Sequence, residues 1–187
     1  MPRIRQLVLA LCAVFPMAGC GYHFQEAHNP LLDLGIHRIY VAGFRNKTYR
    51  PGIEHFFTTA MVREIAHSKS FELVNSESQA DAILSGEVDS TEETQTGFSA
   101  VTVADRSLSI ASEYTASVSC SVRLRDRRGR QVFSQSITDS KAHPGSAAIG
   151  DLGATAPLNN DSEQRLAIQF VANEMMASIY QRMVDTF

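Results

Sequence analysis

The chain has 187 residues, with 17 Lys and Arg against 20 Asp and Glu and a formal net charge of −3 at pH 7. That acidic balance excludes a protein that holds nucleic acid through bulk charge. Three cysteines exclude a disulfide-rich scaffold, and the length supports one compact core rather than two.

Arg3 and Arg5 precede a nine-residue apolar run, Leu7 to Phe15, too short for the ~20 residues that span a bilayer. A signal peptide is therefore expected over residues 1–19. Its end, Met17-Ala18-Gly19-Cys20, resembles a bacterial lipobox, which predicts cleavage before Cys20 and lipid on its sulfur and new amino group. Cys20 is thus the expected lipidation site, and two or more acyl chains there make a stable anchor. Cleavage removes Arg3 and Arg5 and no acidic residue, so 15 basic against 20 acidic residues leave −5. Cys12 departs with the signal and Cys20 is alkylated, so Cys120 is expected to stand alone, without an intramolecular disulfide. No second apolar run is long enough to cross a membrane, which makes the lipid the expected attachment.

Residues 20–35, with Pro30 and several polar side chains, read as a lipidated tether, and residues 36–187 as a single domain. Ile36 to Phe44 predicts a strand, and the polar turn Arg45 to Gly52 follows it. Ile53, Phe57, Ala60, Met61 and Ile65 then recur at helical spacing, with Pro51 suited to a helix start, predicting a helix over 52–67. Phe71 to Val74 predicts a second strand, parallel to the first because a helix lies between them. Ala82, Leu84, Gly86 and Val88 predict one face of a third strand. Thr91 to Arg106, rich in Thr, Ser and Glu, is expected as an exposed hairpin tip or mobile loop.

The clearest alternation is Tyr114, Ala116, Val118, Cys120, Val122 and Leu124 against Thr115, Ser117, Ser119, Ser121, Arg123 and Arg125. It predicts a strand with one core face and one wet face. Asp126 to Gly129 supplies a hairpin turn, and Val132 to Thr138 the partner strand. Asp139 to Asn159 is expected as a loop. Asn160 and Glu163 have capping-box spacing, and Ile168, Val171, Ala172, Met175, Ile179 and Met183 form the stripe of a closing helix. The order predicts an α+β fold, a two-layer sandwich with two helices packed on one face of a mixed β-sheet.

Four stretches in order resemble one family: Cys20-Gly21-Tyr22-His23-Phe24; Ile39-Tyr40-Val41 running into Phe44-Arg45-Asn46-Lys47-Thr48-Tyr49-Arg50-Pro51-Gly52; Ala80-Asp81-Ala82-Ile83-Leu84-Ser85-Gly86; and Val122-Arg123-Leu124-Arg125-Asp126. The chain is similar to the lipopolysaccharide-assembly lipoprotein family, LptE. The resemblance implies a periplasm-facing, lipid-anchored protein of the outer membrane that plugs the LptD β-barrel and helps deliver lipopolysaccharide. Implied partners are an LptD-like barrel, lipopolysaccharide and the membrane. Gly21, rather than an Asp, behind the lipidated Cys implies by the same resemblance an outer-membrane destination.

A catalytic reading finds no constellation to rest on. The six histidines, His23, His28, His37, His55, His67 and His143, are scattered, with no His-Glu-x-x-His element or Cys pair, and read as single surface residues. No Gly-x-Ser-x-Gly elbow or phosphate loop occurs. Cys120 falls on a core face, and Glu92-Glu93 on a solvated edge. Neither an enzyme nor a cofactor or metal is expected.

Arg123, Arg125, Arg127, Arg128 and Arg130 follow one strand and its turn in an acidic protein. Guanidinium groups so placed suit phosphate through bidentate, charge-assisted bonds; equally, they suit an edge guarded against strand pairing. The resemblance favours contact with lipopolysaccharide phosphates or with acidic groups of a barrel wall. A different class of function is an adaptor lipoprotein serving cell-wall synthesis or an export pore.

Overall fold

The structure, a computed structural model, describes residues 29–103, 106–146 and 156–185. Cys20 and the residues around it lie outside this range. In chain order the elements are α1 (Pro30–Asp33), β1 (Arg38–Val41), β2 (Arg45–Asn46), α2 (Ile53–His67), β3 (Glu72–Leu73), a 3-10 turn (Glu77–Gln79), β4 (Ala82–Val103), β5 (Arg106–Asp126), β6 (Gln131–Pro144) and α3 (Ala156–Asp185).

One six-stranded mixed sheet runs β3-β1-β4-β5-β6, with β2 also on β4. β1 is parallel to β3 and to β4, the first as the intervening helix predicted, while β4, β5 and β6 form an antiparallel meander. Asp81 fastens β1 to the start of β4. Its Oδ2 accepts from the His37 and Arg38 backbone N–H groups at 3.2 and 2.9 Å, and its Oδ1 accepts from Arg38 Nη2 at 2.9 Å.

The predicted alternation of β5 holds: Ala116, Val118, Cys120, Val122 and Leu124 are buried. Helices α2 and α3 cover that face, contributing Phe57, Met61 and Ile65 and then Ile168, Val171, Met175 and Ile179 to one core. The α+β two-layer architecture is thus the observed one. Phe44 stacks on Phe57 with ring centroids 6.0 Å apart and packs against Gly86, where a Cβ would clash with the Phe44 ring. Gly86 is therefore a packing requirement of the β4 core face.

Three stretches differ from expectation. Of the two forms expected for 91–106, the hairpin is the one observed, and it is longer than a tip: among the described residues β4 and β5 pair as strands from Ala82 and Asp126 out to Val103 and Arg106. Because β6 ends with Pro144 opposite Glu113, the outer part is a two-stranded ribbon. From Phe98 to Val103 it extends about 20 Å at the usual strand rise. Its threonines favour extended backbone, and the polar run from Thr91 to Thr96 carries no alternation of apolar residues to announce it.

The loop expected from 139 shrinks because β6 continues to Pro144, and α3 begins at Ala156 instead of Asn160. Asn160 does not cap the helix; its Oδ1 accepts the Ser146 backbone N–H at 2.7 Å and ties the end of β6 to the first turn of α3. Finally, the stretch expected as a tether contains α1, whose Leu31 is wholly buried in the core. Among the described residues no helix is long and apolar enough to cross a membrane.

Candidate functional site

The sheet face opposite the helices is open, and a hollow of about 220 Å³ lies in it, lined by Ala42, Gly43, Arg45, Ser85, Gly86, Glu87, Ser121 and Arg123. β2 brings it about. Running parallel to β4, it sets Arg45 beside Glu87 and Asn46 beside Val88. Asn46 then organises the turn: its Oδ1 accepts from the Thr48 backbone N–H at 2.8 Å, and its Nδ2 donates to Glu54 Oε2 at 2.9 Å on the first turn of α2. Gly52, at φ +87°, completes a turn that side chains with a Cβ adopt only with strain.

Glu87 is the centre of the hollow and only 8% exposed. Arg45 Nη2 lies 2.5 Å from its Oε1, Lys47 Nζ 2.6 Å from its Oε2, and Arg123 Nη2 4.0 Å from Oε2. Lys47 also reaches Asp89 at 3.0 Å. The hydrogen bond from Lys47, reinforced by the charges of Lys47, Arg45 and Arg123, holds the Glu87 carboxyl below the usual range; the same bond holds the Lys47 ammonium above its own. Three cations thus meet two carboxylates, and the Arg123 guanidinium, at the far limit of an ion pair, keeps donors directed at solvent.

The five arginines singled out by sequence do not form one patch. Arg123 and Arg125 stand on the open face, Arg123 between Ser85 of β4 and Ser134 of β6 and Arg125 between Ile83 and Gln131. Arg127 is a strut, donating through Nε to Ala80 O at 2.8 Å and through Nη2 to Ser78 O at 3.2 Å. Arg130 is paired with Asp126 at 3.1 Å, whose Oδ1 also accepts the Arg128 and Arg130 backbone N–H groups. Arg128 occupies the exposed turn between them.

Arg123 is joined instead by Arg45 and Lys47, which sequence reasoning passed over as turn residues. Only the β2–β4 register brings them to Glu87, and their period-2 spacing was the available signal.

Cys120 lies on the core face, its thiol pushed up to about 12 by burial, which removes it as a nucleophile. His143 departs from the surface reading. It is 4% exposed, with Nε2 3.1 Å from Glu93 Oε1 and its ring stacked on Tyr114 at 5.7 Å. Among the described residues no group of three His, Cys, Asp or Glu could hold a metal ion.

The geometry defines a two-layer α+β domain with helices on one side of the sheet and, on the other, a polar face with cations held about a buried carboxylate. The chain belongs to the lipopolysaccharide-assembly family LptE, whose family model matches residues 36–183. No curated protein matches it.

Solved structures share the outline at low identity. The hypothetical protein CT253 from Chlamydia trachomatis is 13% identical over 81% of this chain and 99% of its own, with a TM-score of 0.49. A PelC dodecamer from Paraburkholderia phytofirmans is 15% identical over 79% and 87%, also at 0.49. The rare lipoprotein B from Shewanella oneidensis is 13% identical over 80% and 92%, at 0.41.

Proposed function

We propose that this chain is a lipoprotein of the outer membrane, anchored through Cys20, that sits inside an LptD-type β-barrel and helps pass lipopolysaccharide to the outer leaflet. The observation that carries this reading is the family match over residues 36–183, which takes in both the Arg45–Gly52 turn and the Val122–Asp126 strand. Two features of the structure support it. Leu158, Leu166 and Phe170 are 69%, 60% and 47% exposed on the outward side of α3, giving that side an apolar contact surface for a barrel wall. Arg123 and Arg125 meanwhile offer guanidinium groups to phosphate.

Two experiments test the reading. Copurification from detergent-solubilised membranes is expected to yield an outer-membrane barrel in stoichiometric amount, and depletion of the chain to reduce lipopolysaccharide at the cell surface. Recovery of a peptidoglycan synthase, or a ring of the chain alone, would instead support the adaptor class. Cys20→Ala is expected to leave an unprocessed precursor absent from the outer-membrane fraction. Mass spectrometry showing an unmodified Cys20 in the wild-type protein contradicts the anchor.

A further inference from the structure

On the open face, β5 and β6 place hydroxyls opposite one another in three successive pairs: Ser117 with Ser140, Ser119 with Thr138, and Ser121 with Ser136. The middle pair is in contact, Ser119 Oγ to Thr138 Oγ1 at 2.7 Å. Ser121 also lines the hollow, so the ladder begins where the cations end.

A hydroxyl both donates and accepts, and at the spacing of a sheet these six recur about every 5 Å across strands and about 7 Å along them. Such a lattice matches a ligand that carries hydroxyls of its own. Charge selects further. Arg45, Lys47 and Arg123 meet Glu87 and Asp89 at this end, and Arg125 stands two residues further along β5, an excess of positive charge in a chain of net charge −3. A negative charge arriving at the hollow would meet the outward donors of Arg123 and the half of Arg45 not engaged by Glu87. Of the exposed large apolar side chains, Leu158, Leu166 and Phe170 are on α3, and Leu34, Tyr49 and Phe98 lie just after α1, in the Arg45–Gly52 turn and on the outer ribbon; none lines the hollow or belongs to the ladder, so hollow and ladder offer little to acyl chains.

We propose that the open face holds the phosphorylated oligosaccharide of the transported lipid. Its phosphate sits in the hollow between Arg45 and Arg123, and its sugar hydroxyls lie along the ladder of β5 and β6. The proposal rests on the lipopolysaccharide reading above and adds which part of the molecule is held, and where.

Calorimetry on the full chain in detergent tests it with four probes: intact lipopolysaccharide, its fully deacylated oligosaccharide with phosphates, that oligosaccharide after phosphatase treatment, and lipid A without further sugars. The phosphorylated oligosaccharide is expected to bind, more weakly as salt rises. Phosphatase treatment and the Arg45→Gln/Arg123→Gln pair should each cost about tenfold or more in affinity, and together no more than either alone. Because the arginine pair also supports Glu87, a second variant leaves every charge in place: Ser119→Ala/Thr138→Ala should weaken both oligosaccharides severalfold without shifting the melting temperature. Unchanged oligosaccharide affinity in both variants overturns the proposal. Binding of lipid A and intact lipopolysaccharide, but of neither oligosaccharide, overturns it while leaving the transport reading intact. Failure of all four probes overturns both.

Discussion

At the scale of single residues, two positions have a predictable energetic meaning. Gly86→Ala puts a methyl group where the Phe44 ring lies, and that ring is already held by Phe57, so the cost is overpacking of about 1–3 kcal/mol. Urea unfolding should show it, and Phe44→Leu in the same chain should restore part of it; an unchanged midpoint for Gly86→Ala contradicts the packing. Asp81 is the second. The hydrogen bond from Arg38, with the two backbone N–H groups, lowers its carboxyl from 3.8 to about 2. A lowered acid contributes stability above its ordinary value, so that contribution is intact at neutral pH and fades as pH falls from about 4 through about 2. Allowing for solvent screening, about 1–2 kcal/mol should disappear over that window, and Asp81→Asn should remove the same amount at pH 7 and flatten the acid limb. An identical acid limb in wild type and variant would falsify the assignment.

At the scale of elements, the two faces of β5 should respond oppositely to charge. Val118→Asp buries an unpaired carboxylate among α2 and α3 and should prevent folding, whereas Ser119→Asp faces solvent and should leave circular dichroism and melting nearly unchanged. Equal damage from both would mean that the open face is covered in the isolated chain. The β4–β5 ribbon is a separate case, since among the described residues none between Val88 and Ala116 belongs to the core. Replacing residues 98–111 by an Asn-Gly turn is therefore expected to preserve the melting temperature to within a few degrees while altering assembly with the barrel. A collapse of stability would show that the ribbon supports the core.

These elements also mark what the sequence could disclose. β5 and the two long helices were legible because one side of each is apolar at its own period. The length of the ribbon was not, because the run from Thr91 to Thr96 is polar at every position and such polarity also suits a loop. Asn160 and Glu163 mimicked a helix start because the same spacing serves a tie to Ser146. In the site, Arg123 and Arg125 were visible by strand parity. Arg45 and Lys47 were not, since Glu87 lies 42 residues from Arg45 and only strand register joins them.

At the scale of the whole molecule, one side is committed to packing helices, and its counterpart is left as a plane of hydroxyls and cations. On the proposed reading, that plane, with Glu87 ordered among three cations, is where a charged, hydroxylated cargo would be oriented. The seating of Leu31 in the core bears on where that cargo can be met. With Cys20 as the proposed anchor, nine peptide steps would separate the lipid from Asn29, a reach of at most about 30–32 Å when fully drawn out. On the proposed reading the domain is therefore on a short leash: Asn29 would stand no farther than that from the bilayer surface, and a barrel that received it would present its periplasmic mouth within the same distance. Gly-Ser insertions between Tyr22 and Asn29 lengthen the leash and leave Leu31 and the residues after it unchanged. Assembly should tolerate them, while deletions of five or more residues from the same stretch should abolish it; equal tolerance of both would show that the leash is never drawn tight.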